Sequence, residues 1–470
     1  MLLRIKNTGP IDNIDLSVNS DLTFIYGKNN IGKSYAITIL YLTLKSFAFE
    51  FSYARRYPYG YFPRMRFGDN ATSKDFLKRI RGKLENSTEF DITENIYQYF
   101  SNLLSMVFLS HFENSLNNSF GDVANLNNKM SKDALYICME FDDFNIHIRE
   151  KNNKLHLEFD GKGKKYICRK IQRHWRPRIE EGKIVMYYNE KSQSEGIQFL
   201  DDVQSYFNDL YRDSIYSIIS KINNVYFLPA SRSGLYRALN AFSQILAELA
   251  KKRSFLREKI ILPNISEQDS DYFSKINEIN IKYSNKKFHS IAENIEEKLL
   301  KGKVSFDQST KQILFQPNNI DINLELLGTS SMIAEVSPIV LFLRYIIGSE
   351  EDRKDNASKP IIFIEEPEAH LHPEAQVSLM ECFVDLVKMG AKLVITSHSN
   401  YMFQKLNNLI ADNKIDKSII NGIVFFQGEK GGCSKTLPIS IVGMEDNNFV
   451  DIAEELYKEK IQIIEKMEQE

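Results

Sequence analysis

The chain has 470 residues, with 60 Lys+Arg set against 62 Asp+Glu for a net charge of −2. Its 43% hydrophobic content excludes wholesale disorder, and the balanced charge excludes a protein that coats nucleic acid through bulk electrostatics. The 4 cysteines, Cys138, Cys168, Cys382 and Cys433, stand far apart with no C-x-x-C pair, which excludes a disulfide scaffold and a zinc ribbon and fits a reducing compartment.

The start, Met1-Leu2-Leu3-Arg4-Ile5-Lys6, meets charge too early for the apolar core of a signal peptide. No run supplies the roughly 20 apolar residues of a spanning helix. The expectation is a soluble, cytoplasmic protein without a membrane partner.

Leu22-Thr23-Phe24-Ile25-Tyr26 is an apolar, β-prone run. Gly27-Lys28-Asn29-Asn30-Ile31-Gly32-Lys33-Ser34 follows it and fits G-x-x-x-x-G-K-[ST] in full. Tyr35 to Leu44 then reads as a buried helix. Strand, loop and helix are the context a P-loop needs. Gly27 and Gly32 let loop amides, with those of Asn29 and Asn30, turn towards phosphate oxygens. The helix N-terminus adds partial positive charge. Lys33 would neutralise β- and γ-phosphates, and the Ser34 hydroxyl would hold Mg²⁺.

Residues 46–130 mix helical and basic–aromatic stretches. Tyr53 to Phe67 interleaves rings with arginines, and its prolines exclude a helix across it. Such a run suits stacked bases, a peptide groove, or packing on its own domain. Leu135 to Phe159 alternates apolar and polar residues around Lys151-Asn152-Asn153, a hairpin signal. Lys162 to Arg178 gathers basic residues around Trp175 and meets no acid until Glu180. It reads as a solvated basic hairpin or as a contact for nucleic acid or an acidic protein.

Val225-Tyr226-Phe227-Leu228 is another apolar strand, ending in Pro229-Ala230-Ser231-Arg232-Ser233-Gly234. From Leu235 to Lys301 the pattern is helical and charged, and reads as a short helical arm offering a docking surface. Ile333, Val336, Ile339, Val340 and Leu343 recur at helical spacing.

Ile361-Ile362-Phe363-Ile364 suits a strand buried on both faces of a parallel sheet. Glu365 and Glu366 stand at its carboxyl end, where α/β sheets place ligands. This is a Walker B arrangement with Glu in the first acidic place. Glu365 would hold the Mg²⁺ shell and Glu366 would polarise the attacking water. Lys392 to Thr396 is a further apolar strand, and it ends in Ser397-His398-Ser399. His398 would then sit close to the phosphate site, where an imidazole can contact the γ-phosphate and the water. With few residues after His398, against about 100–150 for a typical domain, the expectation is that the chain carries no nuclease domain of its own. Phe449, Ile452, Ala453, Leu456, Ile464 and Met467 mark a closing amphipathic helix.

These motifs resemble the ATP-binding cassette class of P-loop ATPases, and within it the SMC-like and OLD-like branch. Glu365-Glu366-Pro367-Glu368-Ala369-His370-Leu371-His372-Pro373 is similar to that branch's Walker B and D-loop run, and Ile395 to Ser399 to its switch-histidine strand. The resemblance covers the first fifty residues and roughly 301–445. It implies an α/β head with mixed and parallel sheet, flanking helices, an antiparallel β part and an inserted helical arm. The corresponding division is an N-terminal lobe 1–234, an arm 235–300 and a C-terminal lobe 301–470. It implies that Leu327-Gly328-Thr329-Ser330-Ser331 is a signature loop, with Ser330 or Ser331 capping the γ-phosphate bound by another subunit. Met332 departs from the pattern, where a glycine is common. It also implies that Arg232 lies near the nucleotide and neutralises phosphate charge.

The resemblance further implies an ATP-dependent homodimer, or a higher homo-oligomer, that hydrolyses ATP slowly as a regulatory act. The nearest functional parallel is the ATPase half of two-gene antiviral systems such as PARIS and Septu. There a separately encoded effector, a nuclease, is held or released. The alternative is a RecF-like DNA-repair ATPase that binds nucleic acid through 162–178.

Overall fold

The computed structural model describes residues 1–55, 71–85, 87–172, 175–189, 197–219, 225–238, 265–282, 287–347, 359–445 and 448–467. The chain divides into two compact units. One comprises Met1–Leu16 and Thr38–Val225, the other Ser17–Ile37 and Tyr226–Glu470. The architecture is α/β, with a large mixed sheet and flanking helices.

In the second unit the strands run in the order Val225–Leu228, Ile361–Glu365, Lys392–Ser397, Leu22–Gly27, Ile420–Gln427 and Gly432–Thr436. Leu22–Gly27 is parallel to both of its neighbours, and all six of its residues are buried. That explains its unbroken apolar reading, because helices cover both faces of a parallel sheet. The last pair, Ile420–Gln427 with Gly432–Thr436, is antiparallel.

Register decides what meets at the carboxyl edge. Glu365 pairs with Thr396, Ser397 with Tyr26, and Gly27 with Phe425. The P-loop, the acidic pair and His398 therefore leave the sheet side by side. Helices Ser331–Leu341, Pro373–Lys388 and Asn400–Ala411 pack with the sheet in one core. Tyr26, for example, lies 4.6 Å from Phe403, centroid to centroid.

The described part of the expected arm is built into this core. Helix Glu267–Asn277 buries Tyr272 and Ile276, and helix His289–Ile295 buries Ile291, Ala292 and Ile295. Tyr272 stacks on Phe342 at 5.6 Å. An apolar stripe at 3.6-residue spacing serves a core as readily as an arm, and here the core has it. Residues 239–264 of that segment lie outside the described residues. A small antiparallel sheet, Gly302–Asp307 with Gln312–Pro317 and Leu324–Glu325, completes this part.

In the first unit, Leu2–Thr8, Tyr136–Glu140, Asn145–Lys151 and Lys154–Asp160 form the expected antiparallel β part. Asn152 and Asn153 turn its hairpin with φ of 53° and 61°, the left-handed pair that suits a two-residue loop. A second sheet runs in the order Glu89–Asp91, Lys165–Ile171, Lys183–Asn189, Arg178–Glu180.

This second sheet revises the basic run 162–178. Lys164 pairs with Asp143 at 2.6 Å, and Arg169 with Glu89 at 2.6 Å and Glu180 at 2.8 Å. Lys162 donates to the Phe141 carbonyl. Arg178 lies over the Trp175 ring at 4.5 Å. Glu89 on a neighbouring strand, Asp143 in the turn before Asn145–Lys151, and Glu180 thus offset two of the basic residues, Lys164 and Arg169. Residues 56–70, most of the aromatic–arginine run, lie outside the described residues.

The last helix, Asn448–Met467, forms where the pattern placed it. Among its described side chains, the expected apolar residues Leu456, Ile464 and Met467 are exposed, at 62%, 40% and 72%. Among the described residues no helix is long and apolar enough to cross a membrane.

Candidate functional site

The strand Leu22–Gly27 ends in a backbone only glycine adopts readily, with φ 146° at Gly27. A Cβ there would stand 2.3 Å from the Phe425 carbonyl oxygen. The loop then passes Asn30 at φ 61° and Gly32 at φ 90° before the helix begins at Lys33. Lys28, Asn29 and Asn30 are exposed at its crest, while Ile31, Gly32 and Lys33 are buried. Gly432 supports the loop from below, where a Cβ would meet the Ile31 carbonyl oxygen at 1.9 Å. Positive φ at Gly27, Asn30 and Gly32 makes this the kind of turn that gathers backbone amides for an anion.

Lys33 is 5% exposed. Its ammonium donates to the carbonyls of Gly27 at 2.9 Å and Lys28 at 2.6 Å, and lies 3.3 Å from His398 Nδ1. Burial pushes its pKa down to about 8, against the pull of Glu366, Glu368 and Glu365. A cation resting on loop carbonyls would gain more from a phosphate.

Glu365 keeps part of its surface open, yet burial pushes its carboxyl pKa up. The Ser34 hydroxyl and the Ala230 amide bond to it and pull the other way. Ser34 and Glu365, from opposite ends of the chain, therefore meet. A carboxylate beside a hydroxyl is an all-oxygen set that suits Mg²⁺, which takes one or two carboxylates and completes its shell with phosphates and water. Among the described residues no cluster of three His, Cys, Asp or Glu could hold a metal alone.

Glu366 has a left-handed backbone, φ 42°. Its amide donates to Thr396 O at 3.0 Å, and its carbonyl accepts from the Ala369 amide at 3.1 Å. Its Oε1 lies 3.1 Å from His398 Nε2, and that bond lowers its pKa, helped by the charges of Lys33 and Arg232. In the neutral tautomer whose Nδ1 accepts from Lys33, the imidazole presents Nε2–H to Glu366. The carboxylate stays ionised, as a base must. Lys33, His398 and Glu366 thus form one hydrogen-bonded chain.

Glu368 belongs to the same group, although the sequence pattern gave it no part in the phosphate chemistry. Its Oε1 accepts from the Ser397 hydroxyl at 2.9 Å and the His398 amide at 2.5 Å. It fixes the end of the strand that carries the histidine. Its place in the Glu365–Pro373 run was the available signal.

One expected contact falls elsewhere, and another concerns a second copy. Arg232 does not point at the phosphate cradle. It is wholly buried behind the acidic strand end, bonded to the carbonyls of Pro229, Glu335 and Glu365. Ser330 caps the helix Ser331–Leu341 by accepting from the Ile333 amide. Ser330 and Ser331 are exposed, and among the described residues no hydrogen bond joins them to the Lys33–His398–Glu366 chain.

A P-loop, an acidic strand end and a histidine on adjacent parallel strands define a P-loop ATPase. The AAA ATPase domain family matches residues 1–403, and the chain belongs to that family. An ATPase of this type binds ATP, usually with Mg²⁺. No curated protein matches the sequence. Among solved structures, the chain is similar to the SMC head domain from Thermotoga maritima, with 10% identity, 93% of this chain and 98% of that one covered, and a TM-score of 0.35. It is similar to the Smc head with an extended coiled coil bound to the C-terminal domain of ScpA, derived from Pyrococcus furiosus, with 12% identity, 97% and 98% covered, and a TM-score of 0.38. A third is an SmcHead bound to the C-winged helix domain of ScpA, with 10% identity, 93% and 97% covered, and a TM-score of 0.36.

Proposed function

We propose that this ATPase closes as a homodimer around ATP and uses slow hydrolysis to control a separately encoded effector, a nuclease, in antiviral defence. The observation that supports the ATP chemistry is the chain Lys33–His398–Glu366 beside the Ser34–Glu365 pair. Asn29, Asn30, Gly32 and the helix start offer amides to the phosphates. Lys33 leaves its loop carbonyls for the β- and γ-phosphates. Ser34 and Glu365 would hold Mg²⁺, which supplies charge neutralisation when bound. Glu366 takes the proton of an in-line water, and His398 holds that carboxylate in place. Ser330 and Ser331 present hydroxyls on an exposed helix start, available to the nucleotide of a second copy. Reduced cysteines fit a cytoplasmic setting.

Turnover and oligomeric state measured together test this. Wild type with MgATP should hydrolyse it and dimerise. Lys33→Ala should lose binding, and Glu366→Gln should bind, hydrolyse at least about 100-fold more slowly and accumulate the dimer. Wild-type turnover by Glu366→Gln would remove the assignment. For the biological role, the protein of a neighbouring nuclease gene should co-purify. ATP-strengthened, salt-sensitive DNA binding without such a partner would favour the repair reading instead.

A further inference from the structure

Arg232 has no exposed surface, and Glu335 is 2% exposed. The guanidinium donates from Nε to Glu335 O at 3.0 Å, from Nη1 to Pro229 O at 2.9 Å and Glu365 O at 3.0 Å, and from Nη2 to Glu366 O at 3.5 Å. Glu335 Oε2 stands 3.5 Å from Nε. Its Oε1 accepts from the Ser233 amide at 3.3 Å and hydroxyl at 2.5 Å. The Tyr272 hydroxyl closes the cage on the Arg232 carbonyl at 3.3 Å. Most of the five donors of an arginine are thus committed to fixed backbone oxygens, and the fork that would grip a phosphate is used up.

Two of those oxygens are the successive carbonyls of Glu365 and Glu366. Glu366 is the residue with the left-handed backbone, a conformation that persists only where the surroundings over-determine it. Thr396 holds its amide, and Arg232 and Ala369 hold its carbonyl. At the other end, Glu335 belongs to the helix Ser331–Leu341, whose exposed start is Ser330-Ser331. A single planar side chain therefore spans from that helix to the peptide that aims the Glu366 carboxylate.

We infer that Arg232 and Glu335 are positioning residues that clamp the Glu366 peptide to the Ser331–Leu341 helix, so that Glu366 keeps its aim only while that helix is seated. The inference rests on Glu366 being the base of the proposed ATPase. It adds a route for regulation. Whatever engages Ser330 and Ser331, a phosphate of a second copy's nucleotide for instance, bears on the hydrolytic geometry of the same chain. The signal passes through protein, not through the nucleotide that chain holds.

The full chain with Arg232→Lys or Glu335→Gln tests this, read as kcat, KM and direct ATP affinity. Lysine keeps the charge and loses the planar fork; glutamine keeps the shape and loses the charge. ATP affinity should stay within about threefold of wild type, while kcat falls by about 10- to 100-fold, the usual effect of a small misplacement of a reacting group. Placed on Glu366→Gln, Arg232→Lys should lower turnover no further, because the aimed group is already gone. A structural weakening would lower both backgrounds alike. If Arg232→Lys does not fold, Glu335→Gln alone decides. Equal loss of affinity and kcat in folded Arg232→Lys would overturn the inference in favour of direct phosphate contact. Wild-type kcat in the folded variants would overturn it outright while leaving the ATPase reading intact. If wild type does not bind ATP, both fall together.

Discussion

Gly432 tests how tightly the phosphate cradle is held, because it bears on the P-loop without belonging to any motif. A Cβ added there would lie 1.9 Å from the Ile31 carbonyl oxygen and 2.8 Å from its carbonyl carbon. Both are backbone atoms, so no rotamer change relieves the clash. Either the loop lifts or the start of the strand Gly432–Thr436 pulls away from Ile420–Gln427. Overpacking of this kind costs about 1–3 kcal/mol. If 1–2 kcal/mol of that falls on the loop geometry that nucleotide selects, Gly432→Ala should bind ATP about 5- to 30-fold more weakly. Its melting temperature should fall by a few degrees. Calorimetric titration with MgATP, beside a thermal melt, reads both. Gly82→Ala is the control: nothing lies within 4 Å of its added Cβ, and it sits in the helix Ala71–Leu84. Alanine there should be neutral or stabilising by up to about 1 kcal/mol. Wild-type affinity and melting in Gly432→Ala would refute the argument that the loop is braced from this side.

Glu368→Ala should lower turnover by roughly 10-fold or more while changing ATP affinity little, since Glu368 fixes the His398 strand end and not the loop; steady-state kinetics beside a binding titration would separate the two. Glu296 and Arg344 form a buried pair at 2.7 Å, and Glu296 also accepts from the Val304 amide at 2.7 Å. Glu296→Ala strands the buried Arg344 and should cost about 3–5 kcal/mol in a urea titration, and a change below about 1 kcal/mol would contradict that. Burial pushes the thiols of Cys168 and Cys382 up to about 12 and raises that of Cys138, so all three stay protonated at pH 8. Iodoacetamide should then label the native protein at the half-buried Cys433 first, with the other three reacting only on unfolding, as mass spectrometry can count.

The site was legible where its chemistry is contiguous. Gly27 to Ser34, Glu365-Glu366 and Ser397-His398 each lie within a few residues and directly after an apolar strand, so spacing alone places them at one sheet edge. Arg232 was not legible, because its partners come from three distant segments around Pro229, Glu335 and Glu365. Glu335 stands alone in the apolar sequence of helix Ser331–Leu341, where a single acid reads as an accident until its cation is seen. The run 162–178 was half legible for the converse reason: the acids that pair with Lys164 and Arg169, namely Glu89, Asp143 and Glu180, lie outside it in sequence. The helices of 267–300 show an apolar stripe in sequence, and a stripe does not say whether its cover is the protein's own core. In the last helix the described members of the stripe, Leu456, Ile464 and Met467, are exposed instead.

The strand Leu22–Gly27 lies between Lys392–Ser397 and Ile420–Gln427. Consider a ribosome that has made the first four hundred residues. Every catalytic motif has then been written, yet one flank of the strand feeding the phosphate cradle has no partner. That edge is apolar, fully extended and open to any other strand nearby. Synthesis must run on through Gln427 before the cradle's floor is closed. A message cut short near residue 415 would therefore yield a polypeptide with a full motif list and an adhesive edge, prone to clump rather than to turn over nucleotide. Pairing across such a span is also slow to form, so the nascent protein has reason to be shielded by a chaperone until its tail is made.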